Sequence, residues 1–189
     1  GDTVLVQGAG SGVGVAAIQI ARLHGARVIA TAGSDAKVAR ALELGAEHGI
    51  NYRTADFVAE AKRLTGKRGV DVVIDHVGGE TFERSLRCLA RGGRVVLCGA
   101  TAAAEASINL RAVFFKSLSI LGSTMGSNAE LRTLLGWFER GELAPVVDRA
   151  CPLEEAPAAQ QRLAAREATG KIVLTVGDDA HDVPRPRED

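Results

Sequence analysis

Aromatic residues are scarce, at 4% of 189 residues, with one Trp and one Tyr. A core made without them must come from Val, Leu, Ile and Ala. That suits a parallel sheet buried between helices, whose strands are apolar on both faces. No charge surplus exists, with 23 basic residues against 23 acidic ones. Neither nucleic acid nor a membrane surface is implied. Apolar runs long enough to span a bilayer are missing, and so is a secretory signal. The three cysteines, Cys88, Cys98 and Cys151, show no CxxC spacing, and the four histidines show no HxxxH. No metal ligand is therefore assigned. An odd, scattered cysteine set reads as reduced thiols in a cytoplasmic protein, with Cys88 and Cys98 expected in the core. An initiating Met is also lacking. Gly1-Asp2-Thr3 leads straight into an apolar strand, as expected of a piece of a longer chain.

What is present alternates. Strands are expected at 4–6, 27–31, 50–52, 70–74, 94–98, 118–121 and 172–176, with 145–147 extended. Helices are expected at 13–24, 36–44, 56–64, 81–89, 129–140 and 156–168, with a short one near 113–115. Gly25, Gly45 and Gly66 end helices, and Gly92-Gly93 is expected to turn the chain. Strand–helix alternation with short connections predicts a doubly wound parallel sheet of six strands with helices on both faces. Residues 178–189 are polar, hold two prolines and lack periodicity, and are expected to form a disordered tail. Residues 1–177 are expected to form the folded domain.

The most informative segment joins the first strand to the first helix. Gly8, Gly10, Gly12 and Gly14 fall there. A tight turn needs the positive φ that glycine permits. A pyrophosphate must come close to the backbone, and the helix N-terminus offers it free N–H groups and partial positive charge. Ser11 and Val13 belong to the same loop. The strict G-x-G-x-x-G spacing is not met, because Val13 stands where its last glycine would be. Context on both sides still marks a Rossmann-type dinucleotide site.

The segments GAGSGVGVAAIQIA, ATAGSDAK, LGAEHGINY, GVDVVIDHVGGETFERSL, GGRVVLCGA, LSILGSTMG and GKIVLTVG follow one another in that order. Together they resemble the cofactor domain of medium-chain dehydrogenases/reductases, in the quinone oxidoreductase and zinc-type alcohol dehydrogenase-like branch. The likeness covers all but the tail, and that family tolerates the G-A-x-x-G-x-G loop. It also implies a separate catalytic domain preceding this one, with any zinc ligands mostly there. Residues 145–177 are expected to pack partly on that domain, and the isolated chain is expected to be inactive.

An NAD enzyme usually carries Asp or Glu at the end of the second strand for the ribose 2′-hydroxyl. Here the run is Ala30-Thr31-Ala32-Gly33-Ser34, and the nearest acid, Asp35, reads as a helix-start residue. Ser34 can donate to a 2′-phosphate and Lys37 can supply charge. By resemblance to NADPH-dependent quinone reductases, Gly33, Ser34, Lys37 and Tyr52 embrace that phosphate, so NADP(H) is the expected cofactor. The resemblance further implies that Val77 and Gly78 lie against the adenosine and its ribose. Cys98, Gly99 and Ala100 then approach the nicotinamide, with Gly122, Ser123 and Met125 on its other side. No catalytic residue is assigned. Asp75-His76 is not read as an acid/base dyad, since adjacent strand residues face opposite ways, and His76 reads as a strand-end residue.

A methyltransferase would want an acid where Gly33-Ser34 stands. A short-chain dehydrogenase needs Tyr-x-x-x-Lys, whereas Asp56 follows Tyr52 at that spacing. The expected function is the NADPH-binding half of an oxidoreductase. It would move hydride between NADPH and a quinone, an enone or an aldehyde/alcohol. The alternative is a non-catalytic dinucleotide-binding or dimerisation module. A small-molecule substrate is expected through the other domain, and a homodimer through the 118–123 edge strand.

Overall fold

The computed structural model of the chain describes residues 1–177. The expected tail, 178–189, lies outside the described residues. Six parallel strands form the main sheet: β1 (Thr3–Val6), β2 (Arg27–Ala32), β3 (His48–Asn51), β4 (Val70–Asp75), β5 (Leu89–Leu97) and β6 (Ser119–Gly122). Their order is β3-β2-β1-β4-β5-β6. The order therefore reverses between β1 and β4, and a crevice opens at their carboxyl ends. Helices α1 (Gly12–Leu23), α2 (Asp35–Glu43), α3 (Phe57–Leu64) and α4 (Gly79–Cys88) fill the crossovers. They are followed by α5 (Leu110–Lys116) and α6 (Asn128–Glu139).

Strand alternation sorts the core into two layers. Leu5, Ile29 and Val73 face one way, onto Phe57, Val58, Ala61, Phe82 and Leu86 of α3 and α4. Val4, Val6, Val28, Ala30 and Val72 face the other, onto Ala17, Ile18 and Ala21 of α1 and Ala41 of α2. The second layer is rich in alanine, so α1 lies close to the sheet. Leu5 and Ile18 are fully buried, each worth about 2 kcal/mol of apolar transfer.

Buried polar groups tie the carboxyl ends together. Thr31 Oγ1 donates to Gln7 Oε1 at 2.5 Å, and Gln7 Nε2 donates to Ser85 Oγ at 2.9 Å. Asp75, fully buried, accepts from the Val77 and Gly78 amides at 2.7 and 3.0 Å. One network thus links β1, β2, β4 and α4 under the crevice, and satisfied buried polar groups of this kind favour a single arrangement.

Three expectations change. Gly92-Gly93 lies within β5, where pairing jumps from Val70↔Leu89 to Val72↔Arg94. Gly92 takes φ +74 there, so the pair makes an irregularity in a longer strand. The extended stretch expected at 145–147 is the approach to β7 (Val147–Pro152). That strand pairs in parallel with β8 (Lys171–Thr175) in a separate two-stranded sheet. Between them a short 3₁₀ turn, Leu153–Glu155, leads into α7 (Ala156–Ala164). The helix expected to reach residue 168 stops earlier, and Arg166 already has φ +58. Asp148 holds this unit together by accepting from Arg162 Nε at 2.8 Å and from the Thr169 amide at 2.9 Å.

Candidate functional site

The glycine loop leaves β1 over the end of the sheet. The Ala9 amide donates to Thr31 O at 2.8 Å, and Gly8 turns at φ +61. Ser11 caps α1, its hydroxyl accepting from the Gly14 amide at 2.9 Å. The Gly12 and Val13 amides have no acceptor among the described residues. No acidic residue occupies the first turn of α1. The loop therefore presents bare N–H groups and helix-dipole charge, the chemistry an anion requires. Val13 is half-exposed beside it.

Each loop glycine has its own reason. A Cβ on Gly14 would lie 2.6 Å from Ala9 Cα, so α1 could not approach the loop. A Cβ on Gly10 would meet Lys37 Cδ at 2.8 Å, and one on Gly12 would meet Lys171 Nζ at 2.6 Å. Two lysines, from α2 and β8, thus flank the anion-binding turn. The β7–β8 unit is fastened there, because the Gly170 amide donates to Gly10 O at 2.8 Å and Gln19 Nε2 donates to Ala144 O at 3.1 Å.

At the end of β2, Gly33 and Ser34 face Tyr52 and Arg53, the residues that follow β3. A Cβ on Gly33 would stand 2.6 Å from Tyr52 Oη and 3.5 Å from Arg53 Nε. This is a cradle that a side chain would fill. Asp35 is engaged elsewhere, accepting from Asn51 Nδ2 at 2.7 Å. Lys37 Nζ donates to Arg166 O at 2.5 Å. Burial pushes the Lys37 pKa down, the Asp148 carboxylate opposes that, and the Arg162, Arg53 and Arg166 charges add to the lowering. Arg162 is paired with Asp148, while Arg53 and Arg166 make no ion pair among the described residues. Cations crowded without carboxylate partners suit an incoming phosphate dianion. Gly33, Ser34, Lys37 and Tyr52 are therefore brought together, and their surroundings fit a 2′-phosphate.

The other predicted residues fall along the same edge. Gly78 caps α4 at φ +76, its amide held by Asp75. Val77 precedes it, its carbonyl accepting from the Ala102 amide at 2.8 Å, and Gly78 faces Ala100 beyond β5. A Cβ on Gly78 would come within 3.2 Å of Ala100 Cα. Gly122 ends β6, and the Ser123 amide donates to Leu97 O at 2.8 Å. Met125 stands 95% exposed. Cys98 corrects an expectation. It lies exposed just past β5, whereas Cys88 is buried, with its thiol pushed up to about 12, chiefly by burial.

Sequence reasoning missed Arg53, Arg166 and Lys171. A basic residue directly after the N-Y pair was a usable signal for Arg53. No local signal places the other two, which reach the loop only through the β7–β8 unit. His76, read as a strand-end residue, is buried within the crevice. Among the described residues no cluster of His, Cys, Asp and Glu could hold a metal, and no helix is long and apolar enough to cross a membrane.

A family model for zinc-binding dehydrogenases matches residues 12–140. Human quinone oxidoreductase is 34% identical over 181 residues, covering 92% of this chain and 54% of the relative. A solved NAD-dependent alcohol dehydrogenase superposes with TM-score 0.85 at 48% identity, over 94% of this chain and 52% of the other. The crotonyl-CoA carboxylase/reductase AntE, solved in complex with NADP, gives TM-score 0.86 at 25% identity, over 93% of this chain and 50% of the other. The chain spans about half the length of the curated relatives it matches.

Proposed function

The chain belongs to the zinc-binding dehydrogenase family of medium-chain dehydrogenases/reductases, as its cofactor-binding domain; from that premise we propose that it selects NADPH and serves an oxidoreductase. The observation that carries the reading is the β2 end, where Gly33 opens a cradle beneath Tyr52 and Arg53, with Lys37 close by and no free carboxylate among the described residues. The glycine loop binds the pyrophosphate through the Gly12 and Val13 amides. Ser34, Lys37 and Tyr52 hold the 2′-phosphate. Val77 and Gly78 border the dinucleotide where it passes the end of β4, while Cys98, Gly99, Ala100, Gly122, Ser123 and Met125 flank the nicotinamide.

Bound NADPH supplies hydride, and this chain orients it and excludes water. The substrate class is a quinone, an enone or an aldehyde/alcohol, bound with a catalytic domain that precedes this one. The names of the relatives, quinone oxidoreductase and alcohol dehydrogenase, support that range. We further propose a cytoplasmic homodimer joined through β6. All four residues of that strand are exposed, as are Phe114 and Phe115 on the preceding helix. Titration with NADPH and NADH, followed by reduced-nicotinamide fluorescence, tests the cofactor. Tighter NADPH binding is expected, and a preference for NADH would overturn the 2′-phosphate assignment.

A further inference from the structure

His76 follows β4 directly, where the sheet order reverses, and its ring lies in the crevice between strand ends. Its carbonyl accepts from both the amide and the hydroxyl of Thr101 at 3.1 Å. On one side, a Cβ on Gly99 would stand 3.2 Å from that carbonyl. On the other, a Cβ on Gly8 would stand 2.8 Å from the ring Cε1 and 3.0 Å from Nε2. The side chain fits between two glycines that terminate the β1 and β5 approaches. Only 8% of the residue is exposed.

Nδ1 is buried with no hydrogen-bond partner, and no described residue bonds either ring nitrogen. Buried polar atoms in folded proteins nearly always have partners; here neither ring nitrogen has one among the described residues, and Nε2 is the nitrogen that lies beside Gly8 and the loop. A neutral ring with its proton on Nε2 leaves Nδ1 as a bare lone pair and turns the one N–H toward Gly8 and the loop. A charged ring would bury an unpartnered N–H as well. Burial opposes the imidazolium, and the Asp75 carboxylate that would favour it is already engaged by two amides.

We propose that His76 is a cofactor-binding residue, whose neutral Nε2–H donates to an oxygen of the dinucleotide lying between its second phosphate and its nicotinamide ribose. The inference rests on the reading that this chain binds NADPH. Its geometry follows from the sheet. The 2′-phosphate cradle lies at the end of β2 and the pyrophosphate amides lie over β1. The remaining length of an extended dinucleotide must cross the end of β4 to reach β5. A neutral donor there serves a phosphate or hydroxyl oxygen without adding charge beside Lys37 and Lys171.

The test titrates wild type and the variants H76A, H76Q and H76N calorimetrically. The ligands are NADPH, adenosine 2′,5′-bisphosphate and 2′-phospho-ADP. Glutamine places an amide N–H near where Nε2 stands, and asparagine near Nδ1. H76A and H76N should weaken NADPH about five- to tenfold, as one lost hydrogen bond does. H76Q should recover most of that, and the bisphosphate, which lacks the second phosphate, should bind all four proteins alike. Equal weakening of 2′-phospho-ADP assigns the acceptor to the second phosphate, and weakening of NADPH alone assigns it to the ribose. Long-range ¹H–¹⁵N spectra of the wild type, needing no substitution, should show an Nε2-protonated neutral ring whose Nε2 signal moves on adding NADPH. NADPH binding to H76A as tight as to wild type overturns the inference, and so does a ring protonated on Nδ1. Wild type that binds the bisphosphate but shows no effect at His76 defeats this inference alone. Wild type that binds no ligand defeats the NADPH reading beneath it as well.

Discussion

Replacing Gly14 with alanine sets two effects of opposite sign against each other. Alanine is the better helix former by about 0.8–1 kcal/mol, and Gly14 has no positive φ to strain. Propensity alone therefore predicts stabilisation. The added Cβ, however, would lie 2.6 Å from Ala9 Cα and 2.8 Å from Ala9 C, both backbone atoms of the loop. Neither can swing aside as a side-chain tip can. Relief requires α1 to move off the loop, and overpacking of this kind costs about 1–3 kcal/mol. The net expectation for Gly14→Ala is a loss of up to about 2 kcal/mol, with no net gain. In a chain of this size the upper end lowers Tm by roughly 4–8 °C. Cofactor affinity should fall with it, since the Gly12 and Val13 amides would be displaced. Gly136→Ala is the control. It also lies in a helix, but its Cβ would meet only the tip of Arg140, at 3.2 Å. It should gain about 0.5–1 kcal/mol and leave binding unchanged. Urea denaturation and NADPH titration of both variants decide the matter. If Gly14→Ala matches Gly136→Ala in both assays, the close packing of α1 on the loop is refuted.

Other outcomes follow from the same contacts. Lys171→Ala should weaken NADPH and NADH by similar factors, because Lys171 lies over Gly12 in the loop proposed to bind the pyrophosphate. Unequal factors in calorimetry would place it elsewhere. The carboxyl of Asp148 is pushed up by burial but pulled further down by Arg162 and the Thr169 amide, and its folded pKa ends below the ordinary carboxylate value. The stability it contributes is therefore present above about pH 4 and is lost as pH falls through the lowered value. Asp148→Asn should remove about 1 kcal/mol at pH 7 and flatten that acid limb in denaturation curves; an unchanged limb would count against it. His76 has the same sign. Its folded pKa is lowered by burial, so its contribution is complete above about pH 6.5 and declines as pH falls through the folded value. Leu121→Lys on the exposed β6 edge should convert a sedimenting dimer to monomer, whereas a wild type already monomeric at high concentration would contradict the interface.

Much of this was legible along the chain because it is local. The glycine loop, the strand before it and the helix after it are adjacent in sequence. Asp75 accepts from the amide of Gly78, three residues on, within a single turn. The missing acid after β2 needed only Gly33-Ser34 to be read. What escaped depends on distant segments meeting. Lys37 meets Arg166 across 129 residues, and Lys171 reaches Gly12 only because β8 pairs with β7 outside the main sheet. Cys98 looked like a core thiol by residue type, but it falls one step beyond the last paired residue of β5, where the crevice leaves it open. Hydrophobicity alone does not indicate what lies opposite.

The central claim is that the β2 end selects a 2′-phosphate. The most direct test is the ratio of NADH to NADPH dissociation constants, measured on wild type and on a Lys37→Ala/Arg53→Ala double variant. A wild-type ratio well above one that collapses toward one in the variant, with NADH affinity little changed, is the predicted result. A ratio below one in the wild type, or one that the double variant leaves intact, would contradict it.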